Sequence, residues 1–321
     1  MKKTICVLLA VMMILACFAG CSEKSSGYKV AIVQQLEHSS LDEIRHSIEA
    51  RLQYLAEQKG ITITVETYNG QNDPTLLNQI GTEVVSGKVD MIIPIATLAA
   101  QCMVTAAEGT DIPIVYAAIS DPESAGLTGF DRVTGTSDAL NTPFVLDMMI
   151  AVKPQVKVVG LLYSTSEDNS ATAIAQAKQY LDSKGIAYLE ATGTNSDEII
   201  TAAQSLVGVV DAVFTPTDNT VMAVEGRVAE ILTEAGIPHF AGADSFVKSG
   251  AFATCGVNYT ELGGRTADMA MDILLGGQVP PFEYLDGGII TVNTETAQTL
   301  GLSYAPYASM AGTVVEVTTE G

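Results

Sequence analysis

The sequence predicts an α/β protein made of two doubly wound parallel-sheet lobes that face each other across a cleft. Short β-rich runs alternate with stretches of helical length, the pattern of βαβ units around a parallel sheet. The series occurs twice, with a break near residues 136–143. The chain has 321 residues, 47% of them hydrophobic and only 17% charged, so there is apolar side chain enough for two cores.

The first strand is expected at 28–34, and the helix after it, at 41–59, is closed by Gly60, the residue type favoured just past a helix end. A strand at 61–67 and a helix at 76–86 behind Asp73-Pro74 come next, then a strand at 89–95, a helix at 99–108 and a strand at 112–117. The second series runs as strand 156–163, helix 171–184, strand 186–191, helix 197–206, strand 210–215, helix 221–234 and strand 237–241. A strand at 251–257 and a helix at 261–275 follow. The first crossing between lobes falls in 136–143. Residues 28–137 with about 256–280 are expected to make one lobe, and 138–255 with about 281–321 the other.

Ahead of these elements, Lys2 and Lys3 precede an apolar run over 5–19, the pattern of an export signal. A spanning helix needs about 20 apolar residues, and this run ends at Ala19-Gly20 before Cys21. Phe18-Ala19-Gly20-Cys21 resembles the bacterial lipoprotein cleavage motif, with Cys17 a weaker competitor. Residues 1–20 are therefore expected to be removed, Cys21 acylated, and 21–27 left as a flexible tether.

Three of the five cysteines lie in or at the end of that leader, which leaves Cys102 and Cys255 as buried thiols and no disulfide framework or metal cluster. The net charge is −21, and two units more negative without the leader's lysines. Nucleic acid and anionic lipid are poor partners for such a chain.

No nucleotide-binding glycine loop, G-x-S-x-G elbow or H-E-x-x-H pair is present. His46 lies mid-helix and His239 at a strand start, both in packing or surface positions. His38 is different, since Gln34-Gln35-Leu36-Glu37-His38 ends the first strand, where open α/β sheets bind ligands. The other strand ends carry small polar residues: Thr97; Ser120 and Asp121; Ser164, Asn169 and Ser170; Thr217, Asp218 and Asn219; Asp244 and Ser245. The same residue types cap helices, and a helix start is also a ready anion site. A ligand carboxylate can thus be held without arginine, and Asp121, Asp218 or Asp244 is expected to hold an ammonium group, Asp218 or Asp244 before the others.

At these strand ends the sequence resembles the ABC transporter substrate-binding proteins related to the streptococcal tryptophan-binding lipoprotein. Gln35-Leu36-Glu37-His38, Ile95-Ala96-Thr97-Leu98-Ala99-Ala100-Gln101, Ser120-Asp121-Pro122, Thr136-Ser137-Asp138, Pro216-Thr217-Asp218-Asn219-Thr220 and Glu261-Leu262-Gly263 carry the likeness, which spans nearly the whole mature chain. It implies a type I periplasmic-binding-protein fold with a three-segment hinge, and an amino-acid ligand, aromatic (Trp- or Phe-like) in the best-known relatives. Leu98, where relatives often have Pro, and Ser120, where they often have Thr, depart from the pattern.

The expectation is a monomeric receptor on the outer face of the cell membrane, held by a lipid on Cys21, working with ABC permease subunits and needing no cofactor or metal. Gln35, His38, Thr97, Ser120, Asp121 and Ser137 are expected to face Asn169, Ser170, Asp218, Asn219 and Asp244 across the ligand. A sugar or nucleoside receptor of the same fold is the alternative. Against it, the chain has no Trp for stacking, and only Tyr116, Tyr163, Phe246 and Tyr259 lie near the strand ends. A cleft hydrolase using His38 and Asp121 lacks a recognisable nucleophile.

Overall fold

The computed structural model describes residues 27–285, 287–310 and 313–320. The expected leader, Cys21 and the tether up to Ser26 lie outside the described residues. The strands are β1 (Gly27–Gln34), β2 (Thr62–Asn69), β3 (Met91–Ile95), β4 (Ile114–Tyr116), β5 (Val133–Ser137), β6 (Val158–Ser164), β7 (Ala187–Gly193), β8 (Ala212–Thr215), β9 (His239–Ala241), β10 (Ala253–Gly256), β11 (Glu283–Tyr284), β12 (Ile289–Asn293) and β13 (Thr313–Val317). They form two sheets, in the orders β11-β5-β4-β3-β1-β2 and β13-β12-β10-β9-β8-β6-β7. Every pairing is parallel except that of β12 with β10.

The helices are α1 (Ser39–Lys59), α2 (Pro74–Ser86), α3 (Thr97–Ala106), α4 (Thr142–Val152), α5 (Asn169–Lys184), α6 (Ser196–Ser205), α7 (Asn219–Met222), α8 (Glu225–Glu234), α9 (Asp244–Lys248), α10 (Tyr259–Leu274) and α11 (Thr294–Leu300). No helix among the described residues is long and apolar enough to cross a membrane. β3 is buried along its whole length, as a strand covered on both faces must be. α1 buries Leu41, Ile44, Ile48, Leu52 and Ala56, one stripe at helical spacing, and ends at Gly60 in the left-handed region (φ +66°). α10 lies against α1 so closely that a Cβ on Gly263 would stand 2.7 Å from the Ile44 carbonyl. The Ser47 hydroxyl donates to the Thr260 carbonyl (2.6 Å) and Arg51 pairs with Asp268 (2.7 Å), fixing that contact.

The chain passes between lobes at Ser137–Asp138, between Gly256 and Tyr259, and between Tyr284 and Ile289. The third passage falls a few residues beyond the expected boundary near 281, because Glu283 and Tyr284 first pair with Thr136 and Ser137 of β5.

Two further differences have local causes. The helix expected at 221–234 is two helices, α7 and α8. Asp218 and Glu167 take the N–H groups of residues 219–221, which starts a separate turn at the cleft, and Glu225 restarts the helix with its carboxylate buried on His239 (2.9 Å). α4 has no counterpart in the sequence reading: Phe144-Val145-Leu146, Met148-Met149-Ile150 leave no polar stripe, and Thr142-Pro143 reads as a turn. Asn141 nevertheless caps it by accepting from the Phe144 N–H (3.2 Å). It packs in the second lobe's core, where Phe240, Phe252 and Tyr307 meet ring to ring. β12 and β13, also unforeseen, extend that lobe's sheet.

Candidate functional site

In each sheet the strand order reverses once, between β1 and β3 and between β6 and β8. Such reversals open a crevice at the carboxyl ends of the strands. The two crevices face each other, and residues of both lobes line a cavity between them.

The first lobe supplies His38, Ala96, Thr97, Ala118 and Ser120 to the wall. The end of β1 is braced from behind. Gln34 donates to the Leu36 carbonyl (2.7 Å) and to Asp42 (2.8 Å), while Gln35 accepts from the Leu98 N–H (3.1 Å) and donates to Asn72 (2.8 Å). His38 sits at the N-cap of α1 in extended backbone (φ −162°), yet its ring caps nothing. Its Nε2 lies 3.0 Å from Asn219 Oδ1 in the other lobe, and its Nδ1 is buried without a partner. Burial pushes the ring's pKa down, against the Asn219 bond and the charges of Glu167 and Asp42.

Thr97 opens α3, and its hydroxyl too is buried and unpaired. The residue before it, Ala96, has φ +74° and ψ 162°, a region used almost only by glycine. Ala118, after β4, has φ +56°. Strained backbone of this kind typically costs about 1–3 kcal/mol per residue and clusters at ligand clamps.

The wall from the second lobe is internally satisfied. Asp218 is fully buried and accepts from the Ser164 N–H (2.7 Å), the Ser170 hydroxyl (2.7 Å) and the Val221 N–H (2.9 Å). Burial and the neighbouring Glu167 push its carboxyl up to about 7. Glu167 accepts four bonds of 2.6–3.1 Å from the N–H groups and side chains of Asn219 and Thr220. Asn169 donates to the Thr217 carbonyl (2.8 Å).

At the hinge stands Asp138, the first residue past β5. It accepts from the Tyr259 hydroxyl (3.1 Å) and from Ser120 (3.1 Å), whose oxygen in turn lies 3.0 Å from the Thr217 hydroxyl of the opposite lobe. Burial pushes the Asp138 carboxyl up, against those two bonds. Ser40 completes the polar lining, and Leu41, Met222, Ala243 and Phe246 give the wall its apolar part.

Further hydrogen bonds join the lobes around the cavity: Ser40 with Ser245, Asn72 with Thr220 (3.3 Å), Gln101 with Asp168 (3.0 Å) and Thr172 with Asp121 (2.6 Å).

Of the site residues the sequence points to, His38, Thr97, Ser120, Asn169, Asp218 and Asn219 line the cavity. Gln35 and Ser170 stand one layer behind, holding α3 and Asp218. Asp121 is at the rim, accepting from Ser124 as well as Thr172. Ser137 is buried in β5 with its hydroxyl accepting from the Ala139 N–H (3.3 Å). Asp244 is paired with Lys248 (2.7 Å) in a separate groove that also includes Glu43. Sequence reasoning quoted Asp138 only within Thr136-Ser137-Asp138 and gave it no binding role, and it gave none to Glu167, Leu41 or Met222. Phe246 and Tyr259, noted there as aromatic neighbours, do line the wall.

The chain is 31% identical to the tyrosine-binding protein of Clostridioides difficile over 322 residues, covering 94% of this chain and 93% of that one. Its fold matches the ABC domain of Streptococcus pneumoniae in complex with L-Trp with a TM-score of 0.83, at 28% identity over 90% of this chain and 100% of that one. The ligand-free, open structure of a substrate-binding protein with adhesive properties from Clostridium difficile matches less well, at 0.68, although it is 33% identical and covers 91% of this chain and all of the other. The better superposition on the less identical protein agrees with the direct hydrogen bonds between lobes: here they are closed on each other. Residues 29–312 match the family described as ABC transporter substrate binding protein, and the chain belongs to that family.

Proposed function

We propose that the protein is the lipid-anchored receptor of an ABC importer and that it binds an aromatic amino acid as a zwitterion in the interlobe cavity. One observation carries the reading: the cavity between the lobes brings together a buried carboxylate, two buried polar atoms without partners among the described residues and an apolar stretch of wall. Asp138 takes the ligand's ammonium, since a buried ammonium must be paired. That moves the role from Asp218, whose carboxylate already has three donors, and from Asp244, which holds Lys248 outside the cavity. The ligand carboxylate goes to the Thr97 hydroxyl and the start of α3. The aromatic ring lies among Leu41, Met222, Ala243 and Phe246. The relatives that bind tyrosine and L-Trp support this class of ligand, and a carboxylate opposite an apolar wall suits a cationic amine with a ring better than a sugar.

Calorimetry with L-tyrosine and L-tryptophan tests it. Asp138→Asn should weaken binding by about 2–5 kcal/mol, the usual cost of leaving a buried charge unpaired. Binding should also weaken as pH falls, because a proton on the burial-raised Asp138 carboxyl displaces its attraction for the amine. Parent affinity in the variant would remove Asp138 from the site. Anchoring rests on Phe18-Ala19-Gly20-Cys21. Cys21→Ser should leave the protein without lipid and no longer retained at the membrane, and unchanged retention would count against it.

A further inference from the structure

The hydrogen bonds around His38 fix which ring nitrogen carries its proton. Glu167 Oε2 accepts both the N–H (3.1 Å) and the side chain (2.7 Å) of Asn219, so the side-chain atom facing it must be the amide nitrogen. The amide oxygen of Asn219 then faces His38 Nε2 at 3.0 Å and can only accept. His38 Nε2 therefore bears the hydrogen, and in the neutral ring Nδ1 presents a bare lone pair. That atom is buried and has no partner among the described residues.

Its surroundings say what it reads. Leu41 lies one turn along α1 from His38, and Met222 one turn along α7 from Asn219, so the His38–Asn219 bridge belongs to the apolar part of the wall. The buried carboxylate Asp138 and the Thr97 hydroxyl come from other elements.

Building on the amino-acid reading above, we propose that His38 is a specificity-determining residue whose Nδ1 accepts a hydrogen bond from an N–H or O–H carried by the ligand's aromatic side chain. The site then selects rings with a donor, phenol or indole, over rings of the same shape without one. Glu167 and Asn219 act through His38 as positioning residues, holding its tautomer. An acceptor left buried and unpaired penalises the analogue that lacks the donor.

The test compares ligand pairs that differ only in the donor: L-tyrosine against L-phenylalanine, and L-tryptophan against 3-benzothienyl-L-alanine, which has sulfur in place of the indole N–H. Wild-type protein should favour the donor-bearing member of the pair it binds by about tenfold or more, and in His38→Leu that ratio should collapse toward one. Loss of affinity for both members with an unchanged ratio would mean that His38 only latches the lobes, and overturns the proposal. Binding by both members at equal affinity in the wild type overturns it as well. If no aromatic amino acid binds, the amino-acid reading itself fails, and this inference with it. Nitrogen-15 spectra of the His38 ring give a readout without substitution: an unprotonated Nδ1 that shifts with the donor-bearing ligand but not with its partner supports the assignment, and a protonated Nδ1 overturns it.

Discussion

The two walls of the cavity differ in how much of their hydrogen bonding is already used. On the side of β1, β3 and β4, His38 Nδ1 and Thr97 Oγ1 are buried and unpaired, and Ala96 and Ala118 are held at positive φ. On the side of β6 and β8, the buried carboxylates Asp218 and Glu167 receive three and four hydrogen bonds from their own lobe. Leaving a buried polar atom unmade typically costs about 1–3 kcal/mol, so the first wall bears a stability cost that a ligand can relieve, and the second does not. Under the proposed function, the first lobe and hinge residue Asp138 meet the ligand's polar groups, while the second lobe presents a rigid, internally satisfied surface whose Met222, Ala243 and Phe246 pack against the ring.

Substitutions on the two sides should therefore fail differently. The largest effect is expected at Glu167. Glu167→Ala strands two backbone N–H groups and two side chains at the start of α7 and should lower folding stability by about 3 kcal/mol or more in denaturant unfolding. A stability change under about 1 kcal/mol would show that this wall is not self-supporting in the way its bonds suggest. A smaller and opposite pattern is expected at Thr97. Thr97→Val keeps the shape and removes the unpaired oxygen, so stability should stay level or rise while ligand affinity falls by about tenfold. If affinity holds and stability drops, the hydroxyl is structural and the contrast between walls is lost.

Much of this was legible in the sequence because strand ends announce themselves. A buried parallel strand reads as an apolar run, and the polar residue after it falls in the crevice, which is how His38, Thr97, Ser120, Asn169, Asp218 and Asn219 were found. Asp138 escaped because a lone acid in a crossing segment resembles a solvated linker, and only the fold shows Tyr259 and Ser120 converging on it. Glu167 escaped for the same reason among the polar residues after β6. Asp218 and Asp244 occupy equivalent positions after strands and could not be told apart by type. The signal that separates them was present, since Lys248 stands one turn beyond Asp244, at the spacing of a helical ion pair. The alanines at positive φ gave no sign at all, because sequence reading looks for glycine or asparagine at such positions.

Those two alanines bear on how the site is inherited. Every alanine codon is a single base change from a glycine codon, and glycine would release the strain at Ala96 and Ala118 at once. Relief is as close in the gene as any substitution can be. A glycine at either place would also let the backbone wander through conformations that alanine forbids, and the wall's hydrogen-bonding groups would wander with it. Ordinary drift at these codons thus trades a stiffer receptor for a more stable one, and binding selectivity would fall as folding stability rose.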